Sequence, residues 1–109
     1  MADVLGIFEQ AVLLAILRLG EEAYGRAILK EVERRLDRRV VAGAIYATLD
    51  RLEEKALVSS SIETGTPERR GRPRRFFAVL PAGLRALDES RAATQNVWRG
   101  VQWPVRGRT

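Results

Sequence analysis

The sequence contains no cysteine and no histidine. Without thiols there can be no disulfide, no thiolate nucleophile and no thiol redox sensor, and the usual structural zinc sites are excluded. The commonest general base is missing too, so an enzyme would have to work through carboxylates or lysine. No nucleophile–base pair, metal-ligand set or phosphate-binding loop can be found, and neither catalysis nor a cofactor is expected. The longest apolar run, Ala11 to Leu17, is far short of the ~20 residues that a membrane span needs. No secretory pattern opens the chain, because Asp3 and Glu9 flank a short apolar run and no cleavage site follows. A cytoplasmic protein without membrane contact is expected.

What the chain has is positive charge in particular places. Its 109 residues carry a net charge of +5, a length that suits one domain and a balance that favours polyanions. Residues 1–40 are neutral, with seven basic and seven acidic side chains, and residues 41–64 carry two basic and four acidic. Residues 65–75 hold five arginines against Glu68 alone, and the remaining tail holds five arginines against Asp88 and Glu89. A localised patch says more about a partner than a global charge does.

Hydrophobic periodicity gives the order of elements. In residues 7–19, Phe8, Val12, Ala15, Ile16 and Leu19 form a helical stripe that Leu13, Leu14 and Leu17 widen almost all the way round. A helix apolar on nearly every side is buried on nearly every side, which in so small a domain points to a second subunit. A second helix runs from Tyr24 to about Leu36, with Tyr24, Ile28, Val32 and Leu36 on one face. A third, from Val41 or Gly43 to Ala56, has Ile45, Leu49, Leu52 and Ala56 as its core stripe. The period then shortens: LVSSSIE (57–63) and RRFFAVL (74–80) read as strands joined by the long, Gly- and Pro-containing TGTPERRGRP. Pro81 suits the first turn of a last helix that ends before Gly100.

Three helices followed by a hairpin is the winged helix-turn-helix order, a mostly α fold with a small β-hairpin (α+β). The expected division is a DNA-binding domain over residues 1–80, a dimerisation helix over 81–99 and a basic tail over 100–109. A recognition helix has to enter a major groove ~12 Å wide, so its outer face cannot be bulky near its start. Gly43, Ala44 and Ala47 meet that need, with Tyr46, Thr48 and Arg51 placed to donate to phosphates or bases. Arg51 has a second reading, pairing with Asp50, Glu53 or Glu54 at the surface. A wing should be cationic and flexible at its tip. A charge run is ordinarily a solvated face, but Arg69, Arg70, Arg72, Arg74 and Arg75 fall within seven residues at a hairpin tip. Strand alternation sends Arg74 and Arg75 to opposite faces; with Arg74 taken as the DNA-side residue, Arg75 falls away from it.

LGIFEQAVLLAIL, AYGRAILKEVE, GAIYATLDRLEEKALV and GRPRRFFAVLPAGLRAL, in this order, resemble the PadR family of transcriptional regulators over about residues 5–87. The combination of AYG, GAIY and GRPRRFF carries the selectivity. The resemblance implies a homodimer, with the single C-terminal helix (residues 82–98) packed on its mate and on the first helix, binding double-stranded DNA, in all expectation as a repressor. It favours Tyr46 as a phosphate contact, while Tyr24 reads as packing whose hydroxyl can reach the DNA backbone. Three departures stand out. Ala56 replaces a family Gly, which implies a different exit into the first wing strand; Phe77 replaces Tyr; Leu80 replaces a Thr that would cap the last helix, a loss Pro81 partly offsets. Thr94, Val97 and Trp98 are either dimer core or, with Gln95, the wall of a pocket between subunits for a small planar aromatic ligand. Trp103 is expected to be a loose surface anchor. Two other functions stay open at this point: a small basic RNA-binding protein, and a winged-helix protein-interaction module.

Overall fold

The computed structural model describes residues 4–104. It holds α1 (Ile7–Leu19), α2 (Gly25–Leu36), α3 (Ala42–Glu54), the strands β1 (Val58–Glu63) and β2 (Arg74–Val79), and α4 (Pro81–Trp98). Short 3-10 turns at Gly20–Glu22 and Pro67–Arg69 are additions that periodicity did not reveal.

The helix stripes become the core. Val12, Leu13, Ala15 and Ile16 of α1 meet Ile28 and Val32 of α2 and Ile45, Leu49 and Leu52 of α3, all fully or almost fully buried. Side chains of this kind contribute about 1.5–3 kcal/mol each on burial, which offsets much of the ordering cost of three short helices. The strands pair antiparallel, with Val58 opposite Val79, Ser60 opposite Phe77 and Ile62 opposite Arg75. Val58 and Phe77 are buried, so this sheet face closes the core beneath α3. The other face carries Arg74 and Phe76, and an isolated bridge pairs Phe76 with Tyr24. The Phe77 amide also donates to the Ala23 carbonyl at 2.9 Å. The base of the wing is thereby tied to the start of α2.

The exit from α3 departs from expectation. Ala56 takes φ +61° in spite of its Cβ. Its amide donates to the Glu53 carbonyl at 2.9 Å, and that of Leu57 to the Leu52 carbonyl at 2.9 Å. This is the Schellman arrangement that glycine ordinarily makes. Ala56 therefore does not alter the exit; it follows the glycine-type path against the steric preference of an L-residue.

α4 splits into two halves. Gly83, Ala86 and Ser90 are buried against the body, and Ser90 Oγ accepts a 2.8 Å hydrogen bond from the Leu5 amide. From Arg91 onward every side chain but the half-buried Ala93 is exposed. The exposed side of α1, with Ile7, Leu14 and Leu17, faces Leu84 and Leu87 of α4 across an open apolar groove of about 710 Å³.

Candidate nucleic-acid interface

The outer face of α3 is Gly43, Tyr46, Ala47, Asp50 and Arg51, all exposed, with Ala44 half-buried beside them. An added Cβ at Gly43 would meet nothing within 4 Å, so the helix start stands clear of the body. Tyr46 is 45% exposed, and its ring lies on α2 rather than free. A Cβ on Gly25 would come within 2.6 Å of ring carbons Cε1 and Cζ of Tyr46. Only glycine lets the ring settle there, so the AYG and GAIY segments are two halves of one contact that fixes α3 against α2.

The wing arginines divide by partner. Arg75 pairs with Glu53 and, at 3.5 Å, with Asp50, and it donates to Ser60 Oγ at 3.1 Å. It joins wing to α3. The Ser60 hydroxyl, followed by Arg75, holds the Glu53 carboxyl below its usual pKa in spite of partial burial. Arg74 stacks on the Tyr24 ring, its guanidinium carbon 3.9 Å from the centroid, and the Tyr24 and Phe76 rings meet edge-on at 5.7 Å. Arg69 turns inward, donating to the carbonyls of Arg72 and Thr64 at 3.2 Å. Arg70 and Arg72 are exposed, and neither pairs with a carboxylate among the described residues. Arg70 itself takes φ +56° and Gly71 φ +74°, which turns the tip sharply, and Nε of Arg72 donates to the Arg69 carbonyl at 3.2 Å.

Known proteins match this arrangement. The profile of the Transcriptional regulator PadR-like family matches residues 13–89. The Transcriptional regulator Rv3488 of Mycobacterium tuberculosis is 38% identical over 80 residues, which are 73% of this chain and 70% of that one. This chain belongs to the PadR-like family of transcriptional regulators. A PadR-like transcription factor from Bacteroides fragilis superposes with a TM-score of 0.68 at 27% identity, covering 84% of each chain. A PadR family regulator from Eggerthella lenta gives 0.64 at 29% identity, covering 82% of this chain and 75% of its own. DNA-binding regulation of transcription is the activity of this family, whose members are not enzymes. No described helix is long and apolar enough to cross a membrane.

For this PadR-like regulator the geometry sorts the residues chosen from sequence. Gly43, Ala44, Ala47, Tyr46 and Arg51 lie together on the outer side of α3, with Arg70 and Arg72 on the wing. Thr48 does not belong with them. It is 1% exposed, and its hydroxyl accepts a 3.1 Å hydrogen bond from Arg51; the 3.6-residue period turns it from the outer face toward the core. Arg51 pairs with none of the acids considered for it, among the described residues. Arg74 and Tyr24 face each other on the side of the sheet away from α3, so we assign both to steadying the wing base rather than to DNA. Trp103 is not loose: its indole stacks on Trp98 at 5.3 Å. Thr94 and Gln95 line the α1/α4 groove, whereas Val97 and Trp98 lie outside it. In the basic tail, Arg106 and Arg108 fall outside the described residues.

Three features escaped sequence reasoning. Gly25 is one. Glu31 is another, a carboxylate only 6% exposed that binds Arg34 at 2.8 Å, Arg35 at 2.9 Å and Arg18 of α1 at 3.4 Å. The Arg35 hydrogen bond, with the three positive charges, depresses its pKa against the effect of burial. The third is Arg38–Arg39, exposed immediately before α3. The spacing of Glu31 to Arg34 and Arg35 is a legible helix-pair signal; the burial of Glu31 is not.

Proposed function

We propose that this regulator is a repressor that binds a pseudo-palindromic operator as a twofold homodimer. The observation that carries the reading is the pairing of a trimmed recognition face on α3 with two uncompensated arginines, Arg70 and Arg72, at the wing tip. Gly43, Ala44 and Ala47 admit the helix to the major groove, while Tyr46, Arg51 and the wing hold phosphates. Arg69 keeps the tip in shape for Arg70 and Arg72. The dimer follows from the open apolar side of α1 and from the C-terminal half of α4, which has almost nothing of its own subunit to pack on. Twofold symmetry sets the half-sites one or two helical turns apart, at about 34 Å per turn. RNA loses its motive as the target, since Phe77 is buried and Phe76 is spent on Tyr24, leaving no aromatic platform on the sheet.

A planar aromatic effector is the second part of the proposal. Trp98 is 57% exposed and Val97 77% exposed at the free end of α4, beside Thr94. A π-surface with a few polar groups at a dimer seam suits a flat ligand, which changes the angle between subunits and thereby the spacing of the recognition helices. Footprinting on the DNA upstream of its own gene and neighbouring genes, with sedimentation of the same sample, tests the first part. A monodisperse monomer at micromolar concentration, or no protected site, overturns it. Trp fluorescence titration with planar aromatic compounds, repeated in Trp98→Phe and Trp103→Phe, tests the second.

A further inference from the structure

We infer that the recognition helix reads its operator mainly through the 5-methyl groups of thymine, with Ala47 and Val41 as the specificity-determining residues. The inference rests on the DNA-binding reading above and deepens it. The part of α3 that can approach base edges is its first two turns, and their outward surface offers methyl groups and backbone only. Val41, at the N-cap, is 74% exposed. Ala42, Gly43 and Ala47 follow it on the exposed side, with Ala44 half-buried. The one polar side chain outward in this stretch, Tyr46, has its hydroxyl end against Gly25. The next two outward groups lie one turn further on: Asp50 is paired with Arg75, and Arg51, anchored on Thr48, is left for a phosphate.

Val41 is one of several large exposed apolar side chains: Ile7, Leu14, Leu17 and Leu84 share the α1/α4 groove, Trp98 and Trp103 stack on each other, and Val4, Ile62, Val97 and Val101 stand open as Val41 does. What sets Val41 apart is its place at the entry of α3. It stands where α3 meets the DNA, and the single apolar feature on the floor of a major groove is the thymine methyl.

Nothing on this surface pairs with the polar groups of a G·C pair, two acceptors and an amino donor in the major groove. An A·T pair exposes the same number, so their desolvation is common to both pairs, and the thymine methyl is what separates them. Affinity then comes from arginine on phosphate and selectivity from methyl on methyl.

Duplexes selected from a randomised pool by the full chain supply the substrate for the test. Each thymine of the protected half-site is replaced by deoxyuridine, which keeps every hydrogen-bonding group and removes only the methyl. Affinity should fall about fourfold for each methyl that Ala47 or Val41 covers, the value of one buried methylene-sized group. In Ala47→Gly the preference for thymine over uracil should vanish at one position and persist at the other, and Val41→Ala should weaken it at the second. Putting 5-methylcytosine in place of cytosine at a covered position should recover part of the affinity lost on changing thymine to cytosine. Equal binding of thymine and uracil duplexes overturns the inference, as does selection of half-sites read at G·C pairs. Should Ala47→Gly fail to fold, the uracil series on the native chain still decides. Binding to duplex DNA without methyl discrimination sinks this inference alone, whereas no preference for any duplex sinks the proposed function with it.

Discussion

Replacing Ala56 by glycine should stabilise the protein, although it removes a methyl group and adds backbone freedom. At φ +61° the alanine sits where an L-residue is disfavoured, by roughly 1–2 kcal/mol. Glycine pays no such strain, but it has more freedom to lose from the unfolded chain, about 0.4–1 kcal/mol. The difference leaves a net gain of about 0.5–1 kcal/mol. For a domain of this size that is a rise in Tm of roughly 2–6 °C. The helix-ending hydrogen bonds of Ala56 and Leu57 do not involve the side chain and are kept. The control is the same chemical change at Ala47, which is exposed inside α3 and carries no positive φ; there glycine should cost about 1 kcal/mol. Thermal unfolding of the three proteins at one concentration, followed by circular dichroism, reads both signs under equal mass action. If both variants lose stability alike, the left-handed conformation assigned to Ala56 is wrong.

Other outcomes follow from single contacts. Arg72→Ala should weaken binding to all duplexes about equally and lower the magnitude of the salt slope by about one, which titrations at several salt concentrations measure. Arg75→Ala, which removes the partner of Glu53 and Asp50, should instead lower Tm and leave that slope nearly unchanged. Folding should weaken in acid, because the carboxyls of Glu31 and Glu53 titrate below the ordinary glutamate value of 4.5 when folded. The stability they lend is complete above that value and is lost as pH falls through their depressed folded pKa values; Glu31→Gln should flatten the acid limb of a Tm–pH curve. Leu14→Asp, on the open face of α1, should weaken the proposed dimer at least about tenfold in sedimentation while leaving the monomer folded, since it would put a charge into the seam proposed there.

How legible the fold was depended on the range of the interactions. α1 fell on residues 7–19 as its stripe indicates, and the strands and α4 came within a residue or two of expectation, because periodicity and Gly–Pro punctuation act locally. Thr48 was misplaced because a hydroxyl on the flank of a helix looks polar in sequence, while its burial depends on where α2 and the sheet lie. Ala56 was misread in the other direction: a missing glycine in a family pattern suggested a new path, yet two backbone hydrogen bonds hold the old one. The contact of Gly25 with Tyr46 spans two helices and has no periodic signature. What marks it in sequence is only a glycine at the first position of one helix and a tyrosine in the second turn of the next.

The distribution of arginine explains how one residue type serves both the fold and the DNA surface. Arg18, Arg34 and Arg35 converge on Glu31 and join α1 to α2; Arg75 meets Asp50 and Glu53 and joins the wing to α3. Those charges are compensated, so they shape the body without adding to its field. Lys30, Arg26, Arg38, Arg39, Arg51, Arg69, Arg70, Arg72, Arg74, Arg85 and Arg99 have no acidic partner among the described residues. Six of them lie about α3 and the wing tip: Arg26 follows the glycine on which Tyr46 rests, Arg38 and Arg39 lead into Val41, Arg51 closes the outer face of α3, and Arg70 and Arg72 stand at the wing tip. These six flank the proposed recognition surface, whose first two turns carry no charge. Phosphates lie along the rim of a major groove and base edges on its floor, so this division matches the chemistry of each part to what it meets. On the reading proposed for α3, a cation at Ala47 would add affinity for any duplex, whereas a methyl there leaves affinity to the rim and lets the floor decide between sequences.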